Sequence, residues 1–145
     1  MKIIYIVFLI LLFTLSITTN ALVIYHNDVT IIIERSDVCS AHYAYGMNQI
    51  YISLCGDWDM CDVQFVLVHE LCHHYLHTTD EALANYCAFE VIKRIDYKCY
   101  VRKVAEEVII FLDCLYNYLD TSIEYMCYEN PYFIGMLLSL WGSSS

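Results

Sequence analysis

Proline and glycine are scarce in this chain, with one and four among 145 residues. Beyond the N-terminal segment no Pro/Gly/Ser-rich linker, internal repeat or low-complexity tract interrupts the sequence. Solenoid and beads-on-a-string architectures are excluded, and one compact unit is expected. Basic side chains are few as well: seven Lys and Arg stand against seventeen Asp and Glu, for a formal net charge of −10. Binding a phosphate backbone needs a basic patch, so nucleic acid is not an expected partner. The cations present gather at Lys93, Arg94, Lys98, Arg102 and Lys103, which reads as a solvated helix end and the loop after it. No cysteines are spaced CxxC, which argues against a structural zinc site of the finger or ribbon kind. The apolar stretch Tyr132 to Trp141 is far too short to span a bilayer.

What the chain does have is apolar surface, 59% of its residues, enough to exclude intrinsic disorder. Met1 and Lys2 give a positive start, Ile3 to Leu15 run almost without a polar side chain, and Thr18 to Ala21 are small or weakly polar. That is the layout of a secretory signal peptide ending at Ala21, with a membrane anchor over residues 3–24 as the alternative. Residues 1–21 are therefore read as leader or anchor, and 22–145 as a single domain. All eight cysteines (Cys39, Cys55, Cys61, Cys72, Cys87, Cys99, Cys114 and Cys127) follow the leader. They suit an oxidising compartment, a secreted or extracytoplasmic location and a domain stapled by disulfides. Their pairing is not legible in the sequence.

Leu22 to Ile33 is rich in β-branched residues and broken at Asn27-Asp28, predicting two strands and a turn. Gln49 to Leu54 alternates with the period of a half-buried strand. Asp62 to His77 carries apolar residues round most of a helix, from Phe65 to Leu76. Thr78-Thr79-Asp80 supplies caps between it and a second helix reaching about Ile95. A third is expected over Val101 to Leu119, with Val101, Val104, Val108, Leu112, Leu115 and Leu119 in one stripe. Thr121 to Glu124, with capping-box spacing, opens a fourth that is interrupted near Asn130-Pro131.

Inside the first of these helices lies His69-Glu70-Leu71-Cys72-His73, an HExxH sequence. Histidines four apart share a helix face, so both imidazoles reach one ion. Glu70, about 100° further round, reaches a water on that ion without joining the ligands. A shuffled chain of this composition would contain the motif only about one time in a hundred, and two histidines and a glutamate without a metal would be costly to bury in so apolar a helix. The third ligand is open to several residues. His77 lies about 12 Å from His69 along the axis, too far for easy sharing of one ion. His74 points about 100° away from His73 and reads as a surface or helix-end residue. Cys72 faces the core or a disulfide partner. Glu81, in the first turn of the next helix, can return to His73 in an antiparallel pair, with Asp80 second. Glu81 could equally stabilise the helix dipole or complete a capping box with Thr78.

The segment from His69 to Glu90, HELCHHYLHTTDEALANYCAFE, resembles the ImmA/IrrE-like metallopeptidases. In that family the HExxH helix carries a further His four residues on and precedes a helix of the form E-x-x-(A/C)-N-x-x-A, here Glu81 to Ala88. The resemblance implies His69, His73 and Glu81 as ligands of Zn2+. It covers about 40 residues. The gap from His73 to Glu81 is shorter than is usual in the family, and family members are mostly cytosolic. The strand from Gln49 to Leu54 looks like the family's edge strand and would bind an extended peptide. The fold class expected is α+β: a minimal zincin-like domain with a small antiparallel sheet, then the HExxH helix and further helices. The function expected is zinc-dependent hydrolysis of a peptide or protein substrate, with Glu70 as general base. Tyr86, His42 and Tyr45 are candidates by type for stabilising the transition state. The alternatives are a zinc-binding module without peptidase activity and a disulfide-stapled secreted interaction protein.

Overall fold

In the computed structural model of the protein, residues 21–118, Cys127 and 129–142 are described. All but Ala21 of the leader expected over residues 1–21, the helix start at Thr121 to Glu124 and Leu119 lie outside them. Four strands come first: β1 (Ala21–His26), β2 (Val29–Arg35), β3 (Ser40–Ala44) and β4 (Gln49–Leu54). Four helices follow: α1 (Met60–Leu76), α2 (Glu81–Ile95), α3 (Tyr97–Tyr118) and α4 (Pro131–Trp141). Ala21 to Ile24, the last four residues of the anchor considered as the alternative, belong to β1. No described helix is long and apolar enough to cross a membrane.

The fold class is α+β, as expected, but the sheet is mixed, not antiparallel. Its order is β1-β2-β4-β3. The hairpin β1-β2 turns at Asn27, whose φ is +52°, and β2 then pairs parallel with β4. The reason is β3, a strand that was not expected. Its small and polar residues Ser40, Ala41 and His42 hide the strand pattern, yet it pairs antiparallel with β4 and takes the outer position. The strand Gln49 to Leu54 is consequently interior, and the edge beside the helices is β3. Val29, Ile31, Ile33, Ile50 and Ile52 alternate on the inner face, each at most 5% exposed, and burial of each contributes about 1.5–3 kcal/mol.

Helix α1 lies between two apolar layers. Leu67 and Leu71 pack on the sheet, while Phe65, Val68 and Cys72 join Ala84, Ala88, Phe89 and Ile92 of α2, Tyr100 of α3 and Met136 of α4. Asp59 starts α1 with a capping box closed by Asp62, and His77 ends it in the left-handed conformation at φ +49°. Asp80 caps α2 by accepting from the Leu83 amide. Asp96 alone separates α2 from α3, so Lys98, Arg102 and Lys103 belong to a helix and not to a loop. Arg102 and Lys103 pair with Asp59, Asp62 and Glu106, tying the start of α3 to that of α1. Helix α3 buries Cys99 and Tyr100 and packs Val104 and Phe111 against the core. Of the stripe expected on it, Val101, Val108 and Leu112 are exposed.

Helix α4 packs chiefly on α2. Gly135 makes this possible: a Cβ there would lie 2.6 Å from the Asn85 Cβ, 2.7 Å from the Tyr86 amide nitrogen and 2.9 Å from the Ala82 carbonyl oxygen. Disulfides join Cys39 to Cys55, Cys61 to Cys99, Cys72 to Cys87 and Cys114 to Cys127, which fits an oxidising environment.

Candidate metal centre

At 100° per residue, the sectors of α1 facing the sheet and the other helices leave one face over, and His69 and His73 occupy it. Both rings are nevertheless buried, at 5% and 4% exposure, because α2 and the loop before it close over them. Their Nε2 atoms stand 3.0 Å apart. The Glu81 carboxylate enters between them from the first turn of α2, with Oε2 3.1 Å from His69 Nε2 and Oε1 3.4 Å from His73 Nε2. Ligands about 2.05 Å from a tetrahedral ion are separated by about 3.3 Å, so these three donors fit a single ion. Glu81 completes no capping box: Asp80 is the N-cap, and the Thr78 hydroxyl accepts from the Asp80 amide. A second grouping overlaps this one, since His69, His73 and Glu70 also offer donor atoms all within 4.8 Å of one another and could hold a metal ion. The contacts of Glu81 with the two rings are at coordination spacing, and Glu70 lies beside the same cluster.

The rings are oriented from behind. His73 Nδ1 donates to the Thr78 carbonyl oxygen at 2.8 Å, which turns the Nε2 lone pair toward the cluster. The Tyr45 hydroxyl also donates to that carbonyl and lies 3.1 Å from His73 Nδ1. Tyr45 is thus placed behind the His73 ring, on its Nδ1 side. Burial first, then the nearby His73, pushes the His69 pKa down and favours the neutral form that binds metals. Asn85, fully buried on α2, lies close enough to His69 to influence its charge, while its side-chain nitrogen and oxygen, like His69 Nδ1, have no hydrogen-bond partner among the described residues. Its place one turn after Glu81 puts both residues on the face of α2 that meets α1. That spacing was visible in the sequence, and its meaning was not.

Glu70 is 6% exposed. Its pKa is pushed up to about 7, mainly by burial, with His73 and a hydrogen bond from the Tyr43 backbone opposing and the Glu81 charge adding. The Tyr43 backbone of the edge strand therefore lies close to the Glu70 carboxylate.

His74 is not a surface residue. It is 2% exposed, with Nδ1 2.9 Å from the Tyr43 hydroxyl and Nε2 3.0 Å from Asp28, and it ties α1 to the β1-β2 turn and to the edge strand. The hydrogen bond to His74, with its charge, holds the Asp28 carboxyl below its usual value. Cys72 is bonded to Cys87 and unavailable as a ligand. His42 stacks on Tyr51 on the outer sheet face, away from the cluster, and Tyr86 directs its hydroxyl toward Gly142 at the far end of α4. Tyr132, in the first turn of α4, instead lies over His69, ring centroids 6.0 Å apart and planes 18° apart. Burial, then the charges of Glu81, Glu70 and Glu107, raise its pKa. No sequence signal marked it, because its nearness to His69 depends on the crossing of α4 over α2. Compared with protein-family models, with curated proteins and with solved structures, the chain finds no match.

Proposed function

We propose that the chain is a zinc-dependent metallopeptidase of the zincin type, related to the ImmA/IrrE-like enzymes, that acts in an extracytoplasmic compartment. The observation that carries this reading is the convergence of His69 Nε2, His73 Nε2 and the Glu81 carboxylate within 3.4 Å, with Glu70 buried next to them. Two imidazoles and one carboxylate are a donor set that suits zinc and leaves a position open. Zinc held by these three residues supplies Lewis acidity, lowering the pKa of water and polarising a carbonyl.

The chain's own groups do the rest. Glu70 takes a proton from the attacking water and passes it to the leaving amine. The edge strand β3 can hold an extended substrate by main-chain hydrogen bonds. His73 is kept in its binding tautomer by Thr78 and Tyr45, and the buried Asn85 lies near His69. The four disulfides support the location proposed.

The test is a set of three proteins carrying native disulfides. Wild type should hold one zinc per chain and cut members of a broad peptide library. His73→Ala should lose the metal. Glu70→Gln should keep both zinc and fold while hydrolysis falls by at least about 10²-fold. Zinc bound with no peptide cut would leave a metal-binding module, and full zinc retention in His73→Ala would overturn the ligand set.

A further inference from the structure

We propose that Tyr132 is a catalytic residue whose hydroxyl donates a hydrogen bond to the scissile carbonyl oxygen, a role that rests on the peptidase reading above. The Tyr132 ring covers His69, one of the two imidazoles at the cluster. Among the described residues its hydroxyl has no hydrogen-bond partner, and the side chain keeps 42% of its exposure. The ring is therefore placed and the donor is free.

Its placement is built. The Asn130 side chain accepts from the Tyr132 amide at 2.9 Å and the Phe133 amide at 3.4 Å, and Pro131 fixes the first helical position. Phe133, on the next residue, stacks on Phe111 of α3 with centroids 3.9 Å apart and planes 5° apart. One turn on, the missing side chain of Gly135 lets α4 lie against Asn85 and Tyr86. Asn85 in turn lies close enough to His69 to influence its charge. A side chain held by a cap, a ring stack and a close helix crossing satisfies the rigidity that a charge-stabilising donor requires.

The chemistry needs such a donor. As the water oxygen bonds to the carbonyl carbon, the carbonyl π pair moves to oxygen, and Glu70 receives the proton lost by the water. When the C–N bond breaks, that pair returns to the carbonyl and the proton goes to the amine nitrogen. Tyr132 keeps its own proton throughout, because a phenol remains a donor well past neutral pH. It shares that proton most strongly while the oxygen is negative. Tyr45, His42 and Tyr86 are engaged elsewhere, so no other tyrosine or histidine side chain considered for this role is placed to supply it.

The test uses the full chain, zinc-loaded, with the best-cut library peptide and a phosphinic analogue of that peptide, whose phosphinate imitates the negative oxygen. Tyr132→Phe keeps the ring. It should lower kcat about 10²- to 10³-fold with KM, zinc content and melting temperature unchanged. It should also weaken the phosphinic peptide at least about tenfold, in the same sense as the lost donor. Wild-type kcat in Tyr132→Phe, a change in KM alone, or undiminished phosphinic affinity would each overturn the proposal while leaving the Glu70 reading intact. Wild-type protein that binds zinc and cuts no peptide would overturn both.

Discussion

Replacing Gly135 by alanine adds one methyl group at the tightest helix crossing in the described residues' glycine positions. The new carbon would stand 2.6, 2.7 and 2.9 Å from its three nearest atoms, whereas carbon atoms in contact are comfortable at about 3.5–4.0 Å. Two of those atoms, the Tyr86 nitrogen and the Ala82 oxygen, are backbone of α2, so no rotamer change relieves them. The helices must separate by somewhat under about 1 Å. Overpacking of this kind costs about 1–3 kcal/mol, here toward the upper end because the neighbours are rigid. Alanine returns about 1 kcal/mol through its better helix propensity. The net expectation is a loss of about 1–2 kcal/mol, or a melting temperature lower by roughly 5–10 °C in a domain of this size. Scanning calorimetry on disulfide-intact protein measures it. A Gly135→Ala protein as stable as wild type, or more so, would mean that propensity outweighs contact and that α2 and α4 are not held this closely.

Two further perturbations probe how α1 and α2 are joined at the cluster. Replacing Cys72 and Cys87 together by serine opens a bridge spanning 15 residues, and chemical denaturation should show about 3 kcal/mol less stability; an unchanged midpoint would count against the bridge as a staple. Asn85→Ala should lower metal affinity about 10- to 100-fold in a chelator competition, as expected when the residue backing a ligand histidine is removed, and equal affinity would refute its role behind His69.

The sequence made the local features legible because they depend on neighbours in the chain. The β1-β2 hairpin, the strand at Gln49 to Leu54, the cap at Asp80 and the same-face pair His69 and His73 all follow from period, turn and cap chemistry. What it hid depends on distant partners. β3 is small and polar at its start and counts as a strand only because β4 accepts it, which turned an expected edge into an interior strand and the sheet from antiparallel to mixed. His74 looked solvated from its helix angle, and it is buried because Asp28 and Tyr43 arrive from two other elements. Tyr132 reaches His69 only through a crossing that Gly135 permits, and a lone glycine in an apolar run carries no sign of what lies across from it.

The pattern of the four bridges sets a problem of timing for a chain oxidised as it is made. Cys39 and Cys55 are partners in order of appearance, but Cys72 becomes available before Cys99, the proper partner of Cys61. Pairing Cys61 with Cys72 would be the easy mistake. The two residues belong to one helix, α1, eleven positions apart. Once that helix has formed, its rise of 1.5 Å per residue holds them about 16 Å apart, more than twice the roughly 7 Å that a bridge can span. The same rigid segment that lines up His69 and His73 therefore forbids the bond between Cys61 and Cys72.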